Sequence, residues 1–291
     1  CAGGDVGGDG GVILRDVLRT AAGDLRAAGV EDAMRDARRL MAGTMGLDAG
    51  RLTLLERDEL DPVTVAAFQN SIRHRCEGVP VSHILGWREF YGRRFEVSGD
   101  VLDPRPETEA LIVEALNEPF ETVLDLGTGS GCILLTLLAE APGATGVGAD
   151  LSPEALTVAG RNVDKLGVTG RCALIESDWF KEVAGRFDLI VSNPPYIAAE
   201  EMAGLALELS HEPRIALTDE ADGLSAYRVI ADNAAAYVKP GGRLLVEIGW
   251  KQGAPVAALL RAAGFAEVTV LPDLDGRDRV VSGRWHAGEN P

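Results

Sequence analysis

The sequence predicts an α/β protein: a doubly wound, mostly parallel sheet of seven strands preceded by a small helical bundle. Three observations predict it. From Glu121 onward, strand-like and helical runs alternate. The first strand-to-helix junction carries Gly127-Thr128-Gly129-Ser130-Gly131, a turn whose glycines let backbone approach a ligand closely. Before Gly78, apolar residues recur at three- and four-residue spacing with no strand-like run.

Taken in order, residues 1–11 are glycine-rich and lack a basic or apolar leader region, so they read as a flexible lead and not a secretory signal. Residues 12–85 form the helical bundle. Val12, Ile13, Val17, Leu18, Ala21 and Leu25 give its first helix, which Gly29 ends. Ala33, Ala37, Leu40 and Met41 face inward on a second, which stops near Gly46. Asp61-Pro62 opens a third as N-cap and first-turn proline, continuing through Val65, Phe68 and Ile72 to Gly78. Residues 86–103 link the two domains through a short hairpin turning at Gly92. Residues 104–291 are the α/β domain. Its prolines Pro104 and Pro106 impose an extended path before a helix over 110–116. Strands then follow at 122–126, 145–149, 172–176, 187–191, 243–248, 266–271 and 279–282. Helices fall at 132–140, 153–166 (N-capped by Ser152), 223–237 and 254–263. The last two strands have no helix between them and form an antiparallel edge.

With 46% apolar and 25% charged residues, the chain has the makings of an ordinary globular core. Its net charge of −17 opposes binding to a phosphate backbone and permits a basic protein partner. Cys1, Cys76, Cys132 and Cys172 make no C-x-x-C pair, which suits thiols in a reducing cytoplasm. No apolar run reaches the roughly 18 residues of a membrane helix.

Three successive strand ends carry candidate ligand-binding residues. The first has the glycine turn, Gly127, Thr128, Gly129, Ser130 and Gly131, with Asp125 just ahead of it. The second ends in Asp150, where an acid binds ribose hydroxyls. The third leads to Asp178 and Trp179, where an acid accepts from an adenine amino group and a ring stacks. Any one acid alone is as readily a helix N-cap or a solvated loop residue. Their order along the sheet carries the reading. The G-x-G-x-G spacing departs from the G-x-G-x-x-G of pyrophosphate binders. An acid beside the turn disfavours pyrophosphate and suits a cofactor with a charged amino group. That points to S-adenosylmethionine, with S-adenosylhomocysteine as product.

The fourth strand ends in Ser192-Asn193-Pro194-Pro195-Tyr196. Two prolines stop the strand and stiffen its exit. Methyl transfer from a sulfonium is an in-line displacement, so the protein's task is to orient the nucleophile. A planar amide or exocyclic amino nitrogen is a poor nucleophile because its lone pair is delocalised. The Asn193 side-chain oxygen and the Pro194 carbonyl are two acceptors for its two N–H bonds, and Tyr196 can pack against the planar group.

The α/β domain resembles class I S-adenosylmethionine-dependent methyltransferases, with their Rossmann-like sheet. The chain from Val12 to Arg284 resembles the bacterial release factor glutamine methyltransferases, the PrmC/HemK family. The discriminating stretches are residues 84–92, Pro104-Arg105-Pro106-Glu107-Thr108-Glu109, Asp125 through Gly131, Ser192 through Tyr196, His211-Glu212-Pro213 and Gly276-Arg277-Asp278-Arg279. The Asn-Pro-Pro-Tyr core is shared with enzymes acting on adenine and guanine amino groups; the Pro104–Glu109 stretch with a helical N-terminal domain is more specific. The resemblance implies N5 methylation of the glutamine in the Gly-Gly-Gln loop of class 1 peptide chain release factors. It implies cofactor contacts from the glycine turn, Asp150, Trp179 and Asn193, glutamine contacts from Asn193, Pro194, Pro195 and Tyr196, and a docking role for the helical domain. Cytoplasmic location, a monomer, no nucleic-acid partner, no membrane and no metal are expected with it.

Two rival readings stand beside this one: a nucleic-acid amino methyltransferase, which the acidic balance and the lack of a target-recognition domain oppose, and a non-catalytic S-adenosylmethionine binder, which the intact Asn193–Tyr196 motif opposes. His83 and His211 lack metal-ligand spacing. Arg277 and Arg279 suit either substrate contact or an edge-strand salt bridge.

Overall fold

The computed structural model describes residues 12–204 and 207–286. The expected flexible lead, residues 1–11, lies outside them. The chain divides into two compact units, Cys1–Leu85 and Gly86–Pro291.

The first unit contains α1 (Leu14–Ala27), α2 (Ala33–Met45), α3 (Pro62–Cys76) and the short α4 (Val81–Leu85). A 3-10 turn at Ala49–Leu55 and α4 are additions to the three helices expected from periodicity. Both are too short to display a period. Leu14, Leu18, Leu25, Leu40, Met41 and Phe68 meet in one apolar cluster. The Asp61 carboxylate accepts the N–H groups of Val63 and Thr64, each at 2.9 Å, so α3 starts where its cap and Pro62 dictate. Arg75 of α3 donates through Nε to Asp36 Oδ2 of α2 at 2.8 Å, and both residues are buried.

The second unit opens with an antiparallel hairpin, β1 (Trp87–Phe90) and β2 (Arg93–Glu96), paired from Trp87↔Glu96 to Phe90↔Arg93. The extended path expected through Pro106 is corrected here. Arg105 is extended, as a residue before proline must be, but Pro106–Thr108 is a 3-10 turn leading into α5 (Glu109–Leu116). Pro106 has the φ that the first residue of a helical turn needs.

There follow β3 (Thr122–Leu126), α6 (Cys132–Glu140), β4 (Thr145–Asp150), α7 (Pro153–Leu166), β5 (Cys172–Glu176) and β6 (Phe187–Ser192). After α8 (Arg214–Leu217) and α9 (Ser225–Tyr237) come β7 (Val238–Glu247), α10 (Gly253–Ala262), β8 (Ala266–Pro272) and β9 (Asp278–Arg284). The segment between β6 and α9, expected as a plain loop, also carries 3-10 turns at Ala199–Gly204 and Leu207–His211.

Among the described residues the main sheet has seven strands in the order β5-β4-β3-β6-β7-β9-β8. Strands β3 to β7 run parallel, and β9 pairs antiparallel with both β7 and β8. Both faces of the central strands are buried. Val123, Leu189, Val191 and Leu245 pack into one cluster, while Leu124, Ile190, Leu244 and Val246 pack into the other. That two-sided burial explains the unbroken apolar runs. On β4, an added Cβ at Gly146 would stand 2.5 Å from Leu134 Cδ1, so the glycine lets α6 lie close against the sheet. Arg243 is buried at the far end of α5 and donates to the carbonyls of Glu114, Ala115 and Glu118 at 2.8–3.1 Å. No helix of the described residues is long and apolar enough to cross a membrane.

Replacing Asp36 with Ala leaves the Arg75 guanidinium buried without its carboxylate. The helical unit is expected to lose about 3 kcal/mol, read as faster amide hydrogen exchange across α2 and α3. Exchange at wild-type rates would remove this ion pair from the stabilising contacts.

Candidate active site

The chain leaves β3 toward β4 and β5 on one side of the sheet, then returns to β6 on the other. The crevice at such a reversal, outside the carboxyl ends of the strands, is where open α/β sheets bind ligands. Leu126 of β3 lies opposite Ser192 of β6, and Ser192 Oγ donates to the Leu126 carbonyl at 2.7 Å. The glycine turn and Asn193 therefore leave the sheet side by side.

They open onto a cavity of about 510 Å³. Of the residues expected at the site, Gly127, Thr128, Gly129, Ser130, Asp150, Asp178, Trp179, Asn193 and Pro195 line it. Gly131 instead caps α6, Pro194 is buried, and the Tyr196 ring packs against the core. Burial pushes the Tyr196 phenol up to about 12.

The turn has a left-handed backbone at Gly127, Gly129 and Gly131, with φ of 70°, 55° and 79°. A Cβ would strain each of these positions. Gly127 and Thr128 donate their N–H groups to the Ala149 carbonyl at 2.8 and 3.0 Å. Asp150 ties the turn to β4 from the other end: Oδ2 accepts from the Gly129 N–H at 2.8 Å and Oδ1 from the Ser152 N–H at 3.0 Å. Each oxygen keeps acceptor capacity for a ligand hydroxyl. Asp125 is fully buried, and its Oδ2 accepts from the Thr128 hydroxyl at 2.7 Å. Its Oδ1 has no partner among the described residues, and burial pushes the carboxyl up to about 7. The Asp150 carboxylate beside the turn disfavours a pyrophosphate and suits a ligand with ribose hydroxyls. The residues present thus fit S-adenosylmethionine.

Trp179 holds φ 55°, strained for an aromatic residue. Ser177 Oγ donates to the Trp179 carbonyl at 2.9 Å and accepts the Glu182 N–H at 3.0 Å, which stabilises that kink. Asp178 pairs with Lys181 through Oδ2 at 2.6 Å. At Asn193, Nδ2 donates to Thr108 Oγ1 at 3.4 Å, whereas Oδ1 is buried with no partner among the described residues. Gln252 braces the next turn, donating from Nε2 to the carbonyls of Tyr196 and Gly223 at 3.0 and 3.1 Å.

Sequence reasoning gave no role to Ser177 or Gln252, which carry no local signal. Thr108 lay inside a quoted stretch without a role of its own. Two stretches that carried the resemblance meet directly, because Arg105 Nη2 donates to both Glu212 oxygens at 2.6 and 2.8 Å. Arg279 takes the structural alternative, pairing with Asp273 at 3.3 Å and donating to the Ile248 carbonyl at 3.1 Å. No group of acids, histidines and cysteines among the described residues could hold a metal ion.

Two family models match the chain: the PrmC N-terminal domain over residues 16–86 and the methyltransferase small domain over residues 98–222. A release factor glutamine methyltransferase of Cereibacter sphaeroides is 58% identical over 94% of this chain and 98% of its own length. One of Rhodospirillum rubrum is 41% identical over 98% of this chain and 91% of its own. Among solved structures, the hMettl16 catalytic domain in complex with MAT2A 3'UTR hairpin 6 aligns with TM-score 0.57 at 18% identity, covering 76% of this chain and 83% of that one. A methyltransferase from Pyrococcus furiosus aligns with TM-score 0.53 at 16% identity, covering 75% of this chain and 98% of that one. Both likenesses concern the fold.

The buried carboxyl of Asp125 makes stability pH-dependent. Its value is raised from 3.8 to about 7, so the folded protein holds this proton more tightly than the unfolded chain does. The stability that proton contributes is complete below 3.8 and is lost as pH rises through about 7. Asp125→Asn is expected to flatten that part of the profile, measured as the urea midpoint against pH. A slope equal to wild type would assign the titration to another group.

Proposed function

The chain belongs to the release factor glutamine methyltransferases, and from that premise we propose how its site performs the transfer. The reaction moves a methyl group onto the side-chain amide nitrogen of a release-factor glutamine. The proposed target is N5 of the glutamine in the Gly-Gly-Gln motif of a class 1 factor. The observation that carries this reading is Asn193 Oδ1 beside the glycine turn, buried with no partner among the described residues. A buried acceptor without a donor costs free energy, and a substrate amide N–H removes that cost.

The proposed cofactor is S-adenosylmethionine, which supplies an electrophilic methyl group on a sulfonium. Residues Gly127, Thr128, Gly129, Ser130 and Gly131 would form its backbone cradle, with Asp125 favouring its cationic end. Asp150 would accept from its ribose hydroxyls, and Asp178 and Trp179 would receive its adenine. Asn193 Oδ1 and the Pro194 carbonyl accept one N–H each from the glutamine amide. That turns the nitrogen lone pair toward the methyl group. With the cofactor bound, its sulfonium would supply the methyl group and leave as the neutral thioether of S-adenosylhomocysteine, and the methylated amide nitrogen would release one proton to solvent. Pro194 and Pro195 keep the second acceptor rigid. Tyr196, braced by Gln252, holds the clamp from the core side. The helical unit is proposed to dock the release factor. The enzyme is proposed to work in the cytoplasm, as a monomer, on a protein and not on nucleic acid.

Labelled S-adenosylmethionine offered with a release factor, its Gln→Ala loop variant, DNA or RNA tests this. Label is expected in the wild-type factor only; label in nucleic acid, or none anywhere, would reject it. Asn193→Ala is expected to keep cofactor binding largely measurable and lose about 10²–10³-fold in kcat. Turnover at the wild-type rate would remove Asn193 from the mechanism.

A further inference from the structure

The two prolines that stiffen the glutamine clamp also leave it without ties of its own, because neither has an N–H to give. Asn193 and the Pro194 carbonyl therefore stand where the two ends of the stretch put them. The first end is fixed in the sheet, where the Ser192 hydroxyl bonds the Leu126 carbonyl at 2.7 Å. The second end is Tyr196, and beyond it the chain leaves on the long excursion to α9.

One side chain holds that second end. Gln252 stands just ahead of α10, and its Nε2 donates to the Tyr196 carbonyl at 3.0 Å and to the Gly223 carbonyl at 3.1 Å. Its Oε1 accepts the Gly249 N–H at 3.0 Å. Two carbonyls demand donors and one N–H demands an acceptor, so only one orientation of the amide satisfies all three. Gly223 shows how closely the segments approach. It holds φ 76°, and an added Cβ would stand 2.5 Å from the Tyr196 carbonyl oxygen and 3.0 Å from Gln252 Nε2. Tyr196 and Gly223 are the two ends of the excursion between β6 and α9. Its neck is closed further by Ile197, which donates to the Leu217 carbonyl at 3.0 Å, and by Ala199, which donates to that of Ala221 at 2.9 Å. The same excursion supplies Pro213, Ile215, Ala216, Thr218 and Asp219 to the cavity wall.

We propose that Gln252 is a positioning residue for methyl transfer: by drawing the Tyr196 and Gly223 carbonyls onto one amide, it sets where the clamp stands against the cavity. Gln252 is not among the residues that line the cavity, and it acts through Tyr196. The inference rests on the clamp proposed above. The amide ties together the exit of β6, the entry to α9 and the exit of β7, so that the acceptors and the cavity wall keep one spacing. A misplacement of about 1 Å at the acceptors suffices to cost roughly 10²-fold in rate.

Two variants of the full chain test this. Gln252→Glu preserves shape and the acceptor for Gly249 but sets a carboxylate oxygen against two carbonyls. Gln252→Met preserves length and removes both polar atoms. In each, kcat is expected to fall about 10²-fold. The dissociation constant for S-adenosylhomocysteine is expected to stay within about fivefold of wild type, since the glycine turn, Asp150 and Trp179 leave the sheet from other strands. A residue needed only for folding would instead weaken cofactor binding and thermal stability together, and that pattern would defeat the proposal.

A readout independent of methylation is backbone hydrogen exchange at Ile197 and Ala199, two donors that close the neck. Exchange there is expected to quicken in both variants, while Gly127 and Thr128, bonded to the Ala149 carbonyl, keep wild-type rates. If the wild-type protein labels no release factor, the functional reading fails while the exchange rates still judge the neck. Wild-type rates at Ile197 and Ala199 in both variants, or kcat within about twofold of wild type in both, would overturn the proposal.

Discussion

The parallel pairing of β3 with β6 is the constraint on which the site depends. These strands are far apart in sequence, yet Leu126 lies opposite Ser192, and the Ser192 hydroxyl bonds the Leu126 carbonyl. A slip of one residue would turn every side chain to the other face. The two apolar clusters on either side of the sheet forbid it, because Leu189 and Val191 belong to one and Ile190 to the other. Register is thus set by burial along the strand and delivered as position at its end. The glycine turn, Asp150 and Asn193 inherit their spacing from it.

The polar groups at that end follow a consistent pattern. Those that shape the backbone are satisfied: Asp150 bonds two N–H groups, Ser177 holds the Trp179 kink, and Gln252 spans two carbonyls. Those without a partner among the described residues include Asp125 Oδ1, Asn193 Oδ1 and Glu247 Oε2. Leaving such atoms buried and unpaired works against folding. Two of them belong to residues of the proposed methyl-transfer site. The site is where this fold departs from maximum stability, which is the usual cost of holding acceptors ready for a ligand.

Much of the fold was legible locally. The period of the first helices, the Asp61-Pro62 start, the Ser152 cap and the glycine turn each depend on residues a few positions apart. The bounds of β3, α6, α7 and β5 match those expected. Legibility failed where elements were too short for a period, as at α4 and the turns at Ala199–Gly204 and Leu207–His211. It failed again at Pro106, because proline is compatible both with an extended path and with the first position of a helical turn.

The sequence by itself determined the alternation of strands and helices, the residues at the strand ends and the likeness to a family, because all three are written in near-neighbour patterns. Only the tertiary structure decided which polar groups meet. Asp36 with Arg75, Arg105 with Glu212, and Thr108 with Asn193 are distant in the chain, and nothing local marks either partner. Their pairing follows from packing, which brings together residues that share no pattern. The Asn-Pro-Pro-Tyr stretch could be read as a rigid strand end from its own residues, but the contact of its amide with Thr108, 85 residues earlier in the chain, could not.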